Sequence, residues 1–211
     1  TFRKAGYKFN FGTNYEFARY TNKTFRRLES EIPIPPFEYD ALLKMQKYGF
    51  FAQVSKRYFD DKLSVSAGLR ADANNYSKLM NNPFKQLSLR LSLSYNINDS
   101  WSVSANTGLY YQLLVYTLLG YKNQVGEFQN KNTLKYIKSA HYVAGVAYTT
   151  TFNTKFSVEG FYKKYSNYPL LTLKGISFAN EGGDYGVVGD EPADATSKGK
   201  AYGVEFLAQQ K

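Results

Sequence analysis

Hydrophobic and polar residues alternate with a period of two along most of this chain. Leu87, Leu89, Leu91, Leu93, Tyr95 and Ile97 alternate with Ser88, Arg90, Ser92, Ser94 and Asn96. After Asn98-Asp99-Ser100 the pattern restarts. Trp101, Val103, Ala105, Thr107, Leu109 and Tyr111 then alternate with Ser102, Ser104, Asn106, Gly108, Tyr110 and Gln112. A strand sends successive side chains to opposite faces, whereas a helix would scatter these positions around its axis. The same spacing recurs at Tyr7, Phe9, Phe11, Tyr15 and Phe17, and at Leu63, Val65, Ala67 and Leu69. It returns at Tyr142, Ala144, Val146 and Tyr148, at Phe156, Val158 and Tyr162, and at Tyr202, Val204 and Phe206.

These runs predict about eight strands, near 6–20, 47–58, 62–76, 86–97, 101–112, 139–150, 154–168 and 200–211. Most reach the roughly 9–11 residues a strand needs to cross a bilayer. Tight turns are expected at Phe59-Asp60-Asp61, Asn98-Asp99-Ser100 and Thr151-Phe152-Asn153. Long connections are expected at about 21–46, 77–85, 113–138 and 169–199. Short turns at one end and long loops at the other are the asymmetry of outer-membrane barrels. The predicted fold is all-β: a sector of an antiparallel transmembrane β-barrel with short periplasmic turns and long extracellular loops. Leu89, Leu91, Leu93, Val103, Ala105 and Leu109 are expected to face lipid, and Ser92, Ser94, Ser104 and Asn106 the lumen. Aromatic girdles are expected from Tyr58, Phe59, Trp101, Phe152 and Phe156 beside the turns. Tyr76, Tyr110, Tyr111, Tyr165 and Tyr168 are expected to form the other girdle toward the loops.

Composition sharpens this picture. Tyr and Phe number 20 and 16, so aromatics make up 18% of the chain. The mean hydropathy of −0.47 would suit a soluble protein. Transmembrane strands, however, hide their apolar residues at alternate positions. No run approaches the roughly 18 apolar residues of a membrane-spanning helix. Thr1-Phe2-Arg3-Lys4 lacks the apolar core of a secretory leader. The inward positions are rich in Ser, Gly and Asn, which would underfill a narrow barrel. The chain therefore reads as a sector of a wider one.

Candidate chemistry is sparse. There are no cysteines and one histidine, His141, so no metal set is expected and no cofactor is implied. No nucleophile motif or phosphate-binding loop is present, and the chain does not read as an enzyme. The Gly-rich stretch 182–192 carries Asp184, Asp190 and Glu191 but lacks the EF-hand pattern. The formal net charge of +10 comes from scattered residues, so nucleic acid is not an expected partner.

The run YFDDKLSVSAGLRAD (58–72) resembles the barrel of TonB-dependent receptors. So do NPF (82–84), LSLRLSLSYNINDSWSVSANTGLYYQ (87–112), KSAHYVAGVAY (138–148), VEGFYKKYSNYP (158–169) and AYGVEFLAQQK (201–211), in that order. The style is similar to receptors of the Bacteroidetes. The resemblance implies a plugged barrel of about 22 strands. It also implies an N-terminal plug domain and a TonB box, neither of which lies in this sequence, so 1–211 reads as part of the barrel domain. The expected function is active import of a scarce nutrient (siderophore, cobalamin, peptide or glycan) across the cell outer membrane. The expected partners are the TonB energy-coupling complex, reached through the plug, outer-membrane lipid and lipopolysaccharide, and the nutrient, with a surface lipoprotein left open. The alternative is a passive porin-like channel, or a small closed barrel with a structural or adhesin role.

Two sets of residues are candidates for that function. Tyr110, Gln112, Tyr121, Asn123 and Gln124 begin an external connection, and Asp184 and Tyr185 lie in another. Rings and amides there would stack on and orient a ligand. Arg70, Arg90, Glu159, Lys163 and Glu205 are expected to point inward, toward the plug or the ligand path.

Overall fold

The computed structural model describes residues 1–26, 37–123, 125–182 and 189–210. They form one antiparallel meander. β1 (Phe2–Lys4) is followed by β2 (Tyr7–Arg26), β3 (Phe37–Tyr58), β4 (Leu63–Asn74), β5 (Leu87–Asn96) and β6 (Trp101–Gln112). Helix α1 (Tyr116–Gly120) precedes β7 (Ile137–Thr149), β8 (Thr154–Leu171), β9 (Ile176–Ser177) and β10 (Ala193–Gln210). Each long strand pairs with its predecessor and its successor, while β9 pairs only with β8. The sheet is open, with β1 at one edge and β10 at the other. Among the described residues no helix is long and apolar enough to cross a membrane.

The predicted alternation sets the register. One cross-strand row runs Phe9, Val54, Ala67, Leu91, Thr107, Tyr142, Tyr162, Tyr202. Two residues toward the turns, Val65, Leu93, Ala105, Ala144, Gly160 and Val204 continue it. Most of these side chains are exposed although most are apolar, so one face of the sheet is an open hydrophobic band. The other face carries Ser66, Ser92 and Asn106 in one row, and Ser64, Ser94, Ser104 and Gly145 in the next. Two rings lie flat on this polar face above glycines. A Cβ on Gly203 would stand 2.9 Å from Phe161 Cζ, and one on Gly12 would stand 2.8 Å from Phe51 Cε1.

The turns gather at one end. Ala5 and Gly6 close the first hairpin with positive φ, as do Phe59, Asp60 and Asp61 between β3 and β4, and Asn153 between β7 and β8. At the β5–β6 turn the Asn98 side chain accepts hydrogen bonds from the N–H groups of Ser100 and Trp101 (3.0 and 2.8 Å). Short polar side chains tolerate or cap such geometry. Trp101 and Tyr148 pack at 4.8 Å beside these turns, as the aromatic girdle there requires. The opposite girdle differs from expectation. On the apolar face it is Tyr142, Tyr162 and Tyr202, because strand parity turns Tyr110 and Tyr165 onto the polar face. Tyr76 is buried at the loop end.

Among the described residues the strand count is ten rather than eight, and several strands are longer than predicted. β2 and β3 have 20 and 22 residues, so most of the expected 21–46 connection is strand. Its remainder, 27–36, lies outside the described residues. The reason is a change of phase. Below Lys47, the outward positions Phe50, Ala52 and Val54 are apolar. Beyond it, the opposite positions Met45, Leu43, Ala41 and Tyr39 are the apolar ones, and they are buried. A sequence whose hydrophobic phase inverts reads as a strand that stops. The 169–199 connection is likewise shorter, since β8 runs to Leu171 and β10 starts at Ala193.

Candidate functional site

The inverted phase exists because a loop covers the polar face at its outer end. The connection between β6 and β7 begins Leu113-Leu114-Val115-Tyr116, forms α1, and folds back onto β2 and β3. Leu118, Leu119 and Leu134 are fully buried there with Met45, Met80 and Leu171. Full burial of each such side chain contributes roughly 1.5–3 kcal/mol. Gly120 lets α1 lie close to the sheet, its Cβ direction pointing at Tyr20 and Ala41. Gly189 (φ +87°) must be glycine twice over, since a Cβ would also stand 2.8 Å from Leu118 Cγ.

Buried amides tie this cap together. The Asn130 side chain donates to the carbonyls of Leu118 (2.8 Å) and Glu191 (3.0 Å) and accepts from the N–H of Ala193 (2.8 Å). It thereby joins α1, the loop before β10 and β10 itself. Asn74 donates to Tyr136 Oη (2.8 Å) and accepts from the N–H of Tyr76 (2.9 Å), while Tyr76 Oη donates to the Leu119 carbonyl (2.8 Å). Lys47 Nζ bridges Glu16 (2.5 Å) on β2 to Tyr116 Oη (3.0 Å) on α1. Lys174 is shared between Glu181 and Glu191.

These loop contacts shift titrations. Burial pushes the Tyr136 phenol from the ordinary 10.0 up to about 12, against a smaller opposing effect of the hydrogen bond from Asn74. Burial raises Tyr76 in the same direction. Hydrogen bonds to Glu181 and Glu191 raise Lys174.

Beside the cap the polar face opens into a recess of about 660 Å³, lined among others by Tyr110, Gln112, Ser139, His141 and Tyr165. Its floor is a stack. The Tyr110 ring lies over Gly108, with the Arg90 guanidinium 4.5 Å from its centroid and the His141 ring 4.4 Å away. Lys163 is the cross-strand neighbour of His141, and its ammonium stands 4.8 Å over the Phe161 ring. The surface is both cationic and aromatic.

The sequence-predicted residues divide accordingly. Tyr110 and Gln112 share the recess. Tyr121 does not join them: it is buried in the cap, edge-on to Tyr39 at 5.8 Å. Asn123 shapes a turn, accepting from the N–H groups of Val125 (3.1 Å) and Glu127 (2.9 Å). Gln124, Asp184 and Tyr185 lie outside the described residues. The five charged candidates all stand on the polar face. Arg70 forms a two-pronged pair with Asp72 (2.7 Å each). Glu159 and Glu205 are directly opposite each other, while Arg90 packs on the Tyr110 ring and Lys163 lies across from His141, both residues next to the recess lining. Asn74, Asn130, Lys47 and Tyr136 were missed. The overlooked signal was the apolar run 113–120, which no freely solvated loop would carry.

A family model described as TonB dependent receptor-like, beta-barrel, matches residues 1–211. No curated protein sequence matches the chain. The solved structure of the copper transporter OprC superposes with a TM-score of 0.66 at 13% identity, over 99% of this chain and 33% of that one. The closed form of the ferric-catecholate import receptor Fiu from E. coli K12 superposes with a TM-score of 0.61 at 12% identity, over 99% of this chain and 34% of that one. At such identities the likeness speaks for the fold, and the chain spans about a third of the length of either protein. The chain-long family match, on an antiparallel sheet with one apolar and one polar face, places this chain in the TonB-dependent receptor β-barrel family.

Proposed function

We propose that this chain is a wall of an outer-membrane importer that captures a scarce nutrient and admits it by TonB-driven movement of a plug. The observation that carries the reading is the two-faced sheet with a loop cap folded across the outer end of its polar face. The apolar band suits lipid, and the polar face suits a hydrated lumen or a plug. A passive pore is better served by a clear polar face than by Leu118 and Leu119 packed over its mouth. In this reading Arg70, Glu159 and Glu205 face the plug, and no bond chemistry is performed.

The recess beside the cap is the proposed ligand contact. Tyr110 offers a ring face, Gln112 an amide, and Arg90 and Lys163 positive charge. That combination suits a ligand with a flat ring and an anionic group, as a siderophore or a peptide carries. Cobalamin and glycans remain the competing cargoes. The decisive experiment is uptake by the full-length receptor in a strain deleted for it, across defined iron-chelate, cobalamin, peptide and glycan sources. Restoration of growth on one source by the receptor, and its loss when the TonB system is disabled, supports active import. Growth that does not depend on TonB supports the passive channel instead.

A further inference from the structure

One wall of the recess depends on a break in strand alternation. Tyr165 and Tyr168 stand three residues apart on β8, so an unbroken strand would send their rings to opposite faces. Both nevertheless line the recess, edge to face with centroids 6.3 Å apart. The pairing with β10 explains this. Gly199 pairs with Tyr165 and Ser197 with Tyr168, so β8 advances three residues while β10 advances two. The next pair, Asp194 with Leu170, puts the extra residue on β10 instead. Two bulges thus offset each other, and such bulges re-aim side chains. Within the β8 bulge Asn167 has φ +56°, a left-handed conformation that asparagine tolerates better than most residues. Its side-chain amide donates to the Tyr136 carbonyl (3.4 Å), which ties the bulge to the segment leading into β7.

Tyr110, Ser139 and Tyr165 form one cross-strand row on β6, β7 and β8. The two tyrosines are therefore two strand spacings apart, about 9.5 Å, with only the short side chain of Ser139 between them. That width admits one flat ring, whose faces each need about 3.5–4.0 Å of contact distance. Among the described residues no carboxylate lines the recess, whereas His141, Lys198 and Lys200 do. We infer that Asn167 is a positioning residue of this site: its bulge holds Tyr168 in the recess, where Tyr168 and Tyr165 form the wall, opposite Tyr110, that receives the planar part of an anionic cargo. The inference rests on the recess being the ligand contact. A regular strand through 165–168 would turn Tyr168 to the other face and leave Tyr165 without its edge-on partner.

The test measures binding to the full-length receptor in nanodiscs by ligand-observed nuclear magnetic resonance. The probe is 2-naphthoate, a flat anion, and the control is decalin-2-carboxylate, which carries the same charge on rings that are not flat. Tyr168→Leu should weaken 2-naphthoate by roughly two- to tenfold, the range of one aromatic contact, and leave the control unchanged. Asn167→Val should lose as much, because its branched side chain opposes the left-handed backbone. Asn167→Gly enters that region freely and should bind within about twofold of the native receptor, although it gives up the bond to Tyr136. Since Asn167 acts through Tyr168, the double variant Asn167→Val/Tyr168→Leu should be no weaker than Tyr168→Leu. Additive losses, or equal losses for both compounds, would show that Asn167 merely stabilises the wall and would overturn the inference. Native affinity in Tyr168→Leu would overturn it too; that variant changes no backbone preference and decides the matter if Asn167→Val fails to assemble. Tyr110→Leu separates this inference from the reading beneath it. If it weakens 2-naphthoate while the variants at 167 and 168 do not, the positioning role alone fails. If the native receptor does not bind 2-naphthoate, or if none of the three positions matters, the recess is not the ligand contact.

Discussion

Leu91 and Ser92 are neighbours in the wall with opposite surroundings: Leu91 is 41% exposed on the apolar face, and Ser92 stands in a polar row between Ser66 and Asn106. Leu118 and Leu119 are neighbours in the cap, and both are 0% exposed. The wall separates its residues by face and buries few of them within the chain, its exposed apolar side being of the kind that suits lipid. The cap obeys the rule of water-soluble cores, with leucines inside and buried amides satisfied by backbone groups. One chain therefore answers to two solvents, and the phase inversion along β3 marks where the first gives way to the second.

The largest effect should come from breaking the wall's side of this contrast. Leu91→Arg is expected to cost roughly 2–4 kcal/mol, the depth-dependent penalty of a cation near the bilayer midplane. Ser92→Arg should change stability little, since its side chain enters the polar face. Refolding titrations of the full-length protein into lipid vesicles read both. Comparable losses at the two positions would mean that the faces are wrongly assigned.

The cap's counterpart is Asn130→Ala. It strands two carbonyls and one N–H that Asn130 now satisfies in a buried place. An orphaned buried group costs about 1–3 kcal/mol, and partial relaxation suggests about 2–3 kcal/mol in total. The loss should fall on cap closure alone. Hydrogen exchange should rise across 113–136 and 189–195 and stay protected in β5 and β6. A collapse of protection throughout the wall would show that the cap and the wall are one cooperative unit.

The two regions were unequally legible for the same physical reason. Strand β6 is expected at 101–112 and runs Trp101–Gln112, because an apolar face and a polar face imprint a strict period of two. The faces of Leu89, Leu93, Val103 and Ala105 followed directly. At the outer ends of β2 and β3 the cap covers the polar face. The apolar positions move to the opposite face at Met45, Leu43 and Ala41, and a local pattern cannot report a covering loop some 70 residues away in sequence. Tyr110 and Gln112 share one recess because they end a regular strand, two positions apart on the same face. Asn130 was missed, since Asn-Lys-Asn-Thr reads as a solvated turn until Leu118 is known to lie against it. Tyr121 was misjudged for the converse reason: it sits in the connection but packs into its interior.

Alkali should separate cap from wall without any mutation. Tyr76 and Tyr136 hold their protons more tightly when the cap is closed than when it is open, where their pKa returns to the ordinary 10.0. Lys174 behaves likewise through its two carboxylates. Closure is therefore fully supported below pH 10.0 and loses support as pH rises toward about 12, the closed-state value for Tyr136. The opening should appear as tyrosinate absorbance accompanied by faster exchange in the cap, with the strands of the wall still paired. Tyr136→Phe should remove part of this pH dependence. Cap exchange that does not change across the interval would contradict the burial of these phenols.

The smallest expected effect lies where the two regions meet. Tyr110 belongs to a wall strand, yet its ring forms the floor of the recess beside the cap, held between Arg90 and His141. Tyr110→Leu keeps an apolar side chain of moderate size and removes the aromatic face. The lost cation–π contact is worth about 0.5–1 kcal/mol at an exposed site, so stability should barely move. Binding is the more sensitive readout. If the recess contacts ligand through a ring, affinity of the full-length receptor for its cargo should fall by roughly two- to fivefold, the equivalent of that contact. Tyr110→Phe should retain it, because the hydroxyl plays no part in the stack. Arg90→Gln then separates two roles for the cation. If Arg90 only steadies the ring, the Arg90→Gln and Tyr110→Leu effects should overlap in the double variant. If Arg90 also meets an anionic group of the cargo, the double variant should lose more than either single change. Identical affinity in all of these variants would move ligand capture off the wall and onto the loops, leaving the recess as the place where cap and wall merely abut.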